Sequence, residues 1–93
     1  MNATAIAVGG INAFQIDYGN STVTGGPTQI NFHFTFRNTP LVICSIVGNI
    51  SGNVYTAATY STTQTGFYCT GTYYAGSGSV GGFYGTVNWI AIG

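Results

Sequence analysis

Gln29-Ile30-Asn31-Phe32-His33-Phe34-Thr35-Phe36 is the stretch whose reading decides the fold. Apolar and polar side chains alternate in it without a break, and successive residues of a strand point to opposite faces. Alternation at period two predicts a half-buried β-strand over residues 29–36. Ile30, Phe32, Phe34 and Phe36 then face a core, while Asn31, His33 and Thr35 face outward. A slip of one residue would invert every side chain, so the register is firmly specified. Arg37-Asn38-Thr39-Pro40 turns the chain next, because proline fixes φ and cannot donate to a ladder.

Working outward, residues 41–47 form a near-continuous apolar run, which predicts a central strand buried on both faces. Residues 48–53 read as a turn by composition, and residues 54–60 alternate again. Residues 61–66 form a Thr-rich turn closed by Gly66. Residues 67–74 read as a strand with Phe67 and Cys69 on one face, residues 75–82 as a flexible Gly/Ser loop, and residues 84–92 as the last strand. Upstream, residues 13–18 suggest a short strand and residues 19–27 a loop. Glycine and β-branched residues abound and no 3.6-residue apolar period persists, so helices are not expected. Five or six short strands separated by turns at this spacing predict an all-β fold, an antiparallel sandwich or barrel. The 93 residues make one domain, 1–93, with no internal repeat.

Charge is the strongest compositional constraint. Asp17 and Arg37 are the only fixed charges, and His33 is the only histidine, where a typical domain is roughly a quarter charged. Paired carboxylates for glycoside hydrolysis are absent. So are the basic clusters that neutralise nucleic-acid phosphates or bind a membrane surface. A Ser, Thr or Cys nucleophile needs an adjacent base held by an orienting group. Only His33 and Asp17 are available for those roles, so the chain is not expected to be an enzyme. His33 alone reads as a surface residue rather than a metal ligand, and no cofactor is expected. Asp17 and Arg37 could pair within or between subunits, a contact worth about 0–1 kcal/mol at a surface.

Hydrophobic residues make up 45% of the chain and the mean hydropathy is +0.30. The apolar runs are nonetheless short, whereas a spanning helix needs about 20 apolar residues, so no membrane insertion is expected. Residues 1–10 lack the positive start and long apolar centre of a secretory signal. An apolar domain with zero net charge is poorly soluble alone, which favours burial of surface in an oligomer. Cys44 and Cys69 permit one disulfide. Each sits in an apolar or aromatic run where a free thiol acts as a small hydrophobe, and geometry decides between the two readings.

The candidate binding residues are Tyr73, Tyr74, Phe83 and Tyr84, which flank the 75–82 loop. Aromatic faces stack on the apolar faces of sugars, and tyrosine adds a hydroxyl at low entropic cost. The competing reading is packing across strands or at a subunit contact. Trp89, in phase with Val87 and Ala91, reads as a core or interface residue.

Three segments carry a resemblance to a known family. They are the Phe-rich strand, proline turn and apolar strand of residues 29–46, then Thr65-Gly66-Phe67, then the closing Val87-Asn88-Trp89-Ile90-Ala91-Ile92-Gly93. In this order the chain resembles, over about residues 13–93, the C-terminal receptor-binding β-sandwich domains of tailed-bacteriophage tail-fibre proteins. More distantly it is similar to H-type lectins, which share the closing Trp-hydrophobic-Ala pattern. The resemblance implies a homotrimer at the distal end of a virion tail fibre, joined to an upstream fibre shaft and recognising a host-surface glycan without catalysis. Residues 1–12 would then be an extended N-terminal or stalk-junction segment. The alternatives are a free-standing H-type-like lectin and a purely structural cap that ends a fibre. With so little charge, recognition is expected to rest on stacking and neutral hydrogen bonds, and so to resist salt.

Overall fold

The computed structural model describes residues 6–7 and 15–93. The rest of the expected N-terminal segment, residues 1–12, lies outside the described residues. Eight strands follow in chain order: β1 (Ile6–Ala7), β2 (Gln15–Thr24), β3 (Thr28–Asn31), β4 (Leu41–Ile46), β5 (Val54–Tyr60), β6 (Gly66–Tyr74), β7 (Val80–Gly82) and β8 (Tyr84–Ile92). All pairings are antiparallel. One sheet has the order β1-β2-β8-β4 and the other β3-β6-β5, with β7 added to β6. No helix occurs among the described residues. The expected all-β sandwich is therefore the observed fold.

The longest pairing joins β2 and β8, from Ile16 opposite Ile92 to Thr24 opposite Tyr84. Period-two alternation turns Val23, Val87, Trp89 and Ala91 inward from the first sheet, while Ile30, Phe67 and Cys69 answer from the second. Phe32 and Phe36 complete this core, with Phe32 5.6 Å from Phe67 and Phe67 edge-on to Trp89 at 5.5 Å. Complete burial of each such ring stabilises the fold by roughly 1.5–3 kcal/mol.

The Phe-rich stretch keeps its faces but not its strand. Ile30, Phe32 and Phe36 are buried, Phe34 is partly buried, and Asn31 and Thr35 are exposed. The ladder nevertheless ends at Asn31, because its partner β6 begins at Gly66 and the chain before it turns away. Residues 32–40 instead hang on individual bonds. Phe32 N–H donates to Thr65 O and Phe36 N–H to Gln64 O, while the Gln64 amide donates to the Phe36 and Arg37 carbonyls.

Three other expectations are corrected. Residues 19–24, expected as loop, continue β2, where Gly19 leaves room for Trp89: a Cβ at Gly19 would lie 2.9 Å from the indole. Among the described residues, 41–46 form an edge strand rather than a central one, because β4 pairs there only with β8. Its outer side chains Leu41 and Ile43 are 66% and 56% exposed. The 75–82 loop ends in a short strand, β7.

The edge position of β4 leaves an apolar area on the outer face of the first sheet. Ile16, Ile92 and Leu41 lie in one register row across three strands, and Tyr18, Ile90 and Ile43 in the next row on that face. Gln15 and Gly93 exchange backbone hydrogen bonds at 2.6 and 2.9 Å beside this area. The start of β2 and the end of β8 thus share one pole of the domain, and the start of β8 marks the opposite pole.

Candidate functional site

At that opposite pole the chain crosses between sheets three times, from β2 to β3, from β4 to β5 and from β7 to β8. Gly25 N–H donates to Phe83 O and Phe83 N–H to Gly71 O, which stitches the β2 end, β6 and the β7–β8 junction together. Gly25 has φ +84, and a Cβ there would stand 2.5 Å from the Tyr84 ring. Only glycine meets both conditions at no steric cost. The Tyr84 ring therefore rests on the Gly25 backbone, and the residue is 69% exposed.

Tyr55 and Tyr73 face each other across the β5–β6 ladder on its inner side. Phe83 closes beneath them, edge-on to Tyr55 at 5.3 Å and only 2% exposed. The Tyr55 hydroxyl donates to Asn49 Oδ1 at 3.0 Å and accepts from Ile50 N–H at 3.0 Å, which ties the 47–53 turn to the ring. Ala75 N–H donates to Ser79 O and Gly78 N–H to Ala75 O, fixing the second loop. Between the two loops lies a groove of about 480 Å³, lined by these aromatics together with Asn49, Asn53, Ser77 and Ser79. Its lining contains no Asp, Glu, Lys, Arg or His, so it offers ring faces and neutral donors and acceptors.

Of the four residues singled out in the sequence, Tyr73, Phe83 and Tyr84 meet in this groove. Phe83 forms its floor rather than presenting a free ring. Tyr74 stands apart: it lies on the outer face of the second sheet, in a row with Val54 and Val80. Sequence reasoning missed Tyr55, Asn49 and Asn53. The available signal was that Tyr55 shares the inward phase of the β5 alternation and abuts a turn rich in asparagine.

A second constellation joins the two residues that sequence reasoning named as the available base and its orienter. Asp17 is fully buried on the inner face of β2. Its Oδ2 accepts the His33 N–H at 2.7 Å, its Oδ1 accepts the Tyr18 N–H at 2.9 Å, and His33 Nδ1 stands 3.1 Å from both oxygens. The carboxylate thus engages His33, while the Arg37 N–H donates to Gln15 Oε1 at 3.0 Å. The imidazole also stacks on Trp89, centroids 5.9 Å apart. Among the described residues no hydroxyl or thiol is hydrogen-bonded to His33. The arrangement serves as a buried anchor for residues 32–40. Among the described residues there is likewise no cluster of three metal-ligating side chains.

The thiols of Cys44 and Cys69 meet between the sheets, with the sulfurs 3.3 Å apart and no bond between them. Trp89 belongs to the core, 4% exposed, and its Nε1 has no hydrogen-bond partner among the described residues.

Residues 14–93 match the family model described as "Putative tail fiber protein gp53-like, C-terminal". The chain belongs to this gp53-like tail-fibre family. Membership makes it a virion-associated tail-fibre component and agrees with the resemblance carried by the Phe-rich stretch and the closing Trp-Ile-Ala-Ile-Gly. The match to the gp53-like domain spans β2 through β8, and so covers both poles, the groove and the Asp17 anchor. Neither a curated protein nor a solved structure matches the chain.

Proposed function

We propose that this gp53-like domain is the receptor-binding tip of a tail fibre, a homotrimer whose aromatic groove holds a neutral segment of a host-surface glycan without catalysing any reaction. The observation that carries this reading is the groove itself: rings of Tyr55, Tyr73 and Tyr84 surround neutral amides and hydroxyls at the pole remote from Gln15. Its volume falls within the range of small-ligand sites, about 300–1,000 Å³. Sugars offer apolar ring faces and many hydroxyls, which such a lining complements. An upstream shaft would join the domain before Gln15, and the groove would then face away from it.

Assembly through the apolar rows on the outer face of the first sheet supports the trimer, since large exposed apolar patches mark interfaces. Three weak sites on one fibre would gain affinity through effective concentration.

The test is binding of the labelled domain to an array of neutral and anionic bacterial surface polysaccharides. Tyr84→Ala should abolish binding to neutral glycans. Tyr74→Ala, off the groove, should leave it intact. Binding that survives Tyr84→Ala, or that collapses between low and moderate salt, overturns the groove. A folded domain that binds no polysaccharide supports a structural cap instead.

A further inference from the structure

We propose that Cys44 and Cys69 form a covalent modification site, in which a low-molecular-weight disulfide of the oxidised-glutathione class converts the two thiols into a disulfide joining the two sheets. The proposal is independent of the ligand in the groove. Cys44 lies on β4 of the first sheet and Cys69 on β6 of the second, and their side chains point at each other across the sandwich. The sulfurs stand 3.3 Å apart, and a disulfide requires about 2.05 Å, so a closure of roughly 1.3 Å is enough. As an edge strand held on one side only among the described residues, β4 can supply that movement with little disturbance of the core.

The two thiols differ in access. Cys69 is fully buried, whereas Cys44 is partly exposed and lines a surface hollow of about 200 Å³ with Ile43, Ser45, Asn88, Trp89 and Ile90. Cys44 is therefore where a small disulfide arrives on the unassembled chain, before the face of Ile43 and Ile90 is covered, and Cys69 is the resolving group.

The pair also shares a proton. A thiolate at Cys69 is favoured by the hydrogen bond it receives from the Cys44 thiol, which holds its pKa below the ordinary value against the opposing effect of burial. The same hydrogen bond, burial and the nearby thiolate push the Cys44 thiol far up. One proton thus leaves the pair early and the other late, as interacting sites do.

Cys44 gives its proton to the Cys69 thiolate as its sulfur attacks one sulfur of the small disulfide. That S–S bond breaks, one small thiol departs, and a mixed disulfide remains on Cys44. Cys69 then loses its proton and attacks the Cys44 sulfur, expelling the second small thiol. Two protein thiols are oxidised and one small disulfide is reduced to two thiols, so electrons and protons balance. Such exchange needs no other reactant.

The experiment treats the purified, reduced protein with oxidised glutathione and follows intact mass, non-reducing peptide maps and melting temperature. The expected product is a chain lighter by two hydrogens and not cross-linked to another chain, with a peptide linking Cys44 to Cys69. Its melting temperature should rise by on the order of 10 °C, because the cross-link closes a loop of 25 residues. Cys69→Ser should stop the reaction at a glutathione adduct on Cys44. Cys44→Ser should leave Cys69 unmodified in the folded protein. An unchanged mass, a glutathione adduct that persists on the unaltered chain, or cross-links only between chains would overturn the proposal.

Discussion

Replacing Asp17 by alanine tests the anchor of residues 32–40 directly. Asp17 is fully buried, and its carboxylate is the acceptor for the His33 N–H at 2.7 Å and the Tyr18 N–H at 2.9 Å. Alanine strands the His33 donor in a segment that no ladder supports. An orphaned buried donor costs about 1–3 kcal/mol, and losing a bond to a charged group lies at the upper end. Adding the Tyr18 donor gives about 2–4 kcal/mol, a large fraction of the 5–15 kcal/mol that typically holds a domain. At about 4–8 °C per kcal/mol for a domain of this size, the melting temperature should fall by roughly 10–25 °C. Asp17→Asn keeps an oxygen for the His33 N–H and should cost only about 1 kcal/mol, the share due to charge. His33→Ala keeps the backbone donor and should likewise cost about 1 kcal/mol, through the lost Nδ1 contact and the Trp89 stack. Thermal unfolding by circular dichroism, at one fixed protein concentration because assembly shifts apparent stability, ranks the three variants. If Asp17→Ala melts within error of the unaltered protein, or no lower than Asp17→Asn, the anchor carries no such weight.

Phe67→Ala should destabilise by about 3–5 kcal/mol in urea titrations, because the ring is 1% exposed, and Phe34→Ala by clearly less, because that ring is only partly buried. Gly25→Ala, placed at φ +84 and 2.5 Å from the Tyr84 ring, should cost about 1–2 kcal/mol in backbone strain and also weaken glycan binding by displacing that ring. Leu41→Lys combined with Ile43→Lys should reduce the mass measured by light scattering from three chains to one while the far-ultraviolet spectrum stays unchanged; a single-chain mass for the unaltered protein would refute the trimer. Formation of the Cys44–Cys69 disulfide should accelerate with pH around a midpoint below the ordinary thiol value, because thiolate forms early in this pair; stopped alkylation at each pH measures it.

Much of the fold was legible because period two is a local signal. The limits of β5 and β8 follow from their alternation, and the buried set Ile30, Phe32 and Phe36 follows from the Phe-rich stretch. Pairing is not local, and it accounts for the corrections. Leu41-Val42-Ile43 looks like a doubly buried strand, yet β4 has a neighbour on one side only, which nothing in its own composition reveals. Residues 32–36 alternate like a strand, yet their prospective partner has already turned away. The groove was half legible for the same reason. Tyr73, Phe83 and Tyr84 sit close to one loop in sequence, but Tyr55 and Asn49 arrive from another hairpin through the β5–β6 register. Tyr74 was misplaced by a single residue of phase relative to Tyr73. The Asp17–His33 contact joins residues 16 apart, and the scarcity of charge pointed to both partners without showing that they meet.

The β2–β8 ladder has a mechanical consequence. A glycan held at the groove and a shaft joined before Gln15 would pull on opposite poles of the domain, along the direction of these strands. Antiparallel hydrogen bonds run across the strands, so such a load would shear the rungs from Ile16–Ile92 to Thr24–Tyr84 together instead of peeling them one after another. A load applied at one pole alone, drawing Gln15 away from Gly93, would open the same ladder rung by rung. The domain should therefore resist tension along its length far better than tension across its end, a contrast that single-molecule pulling from the two attachment geometries would read directly.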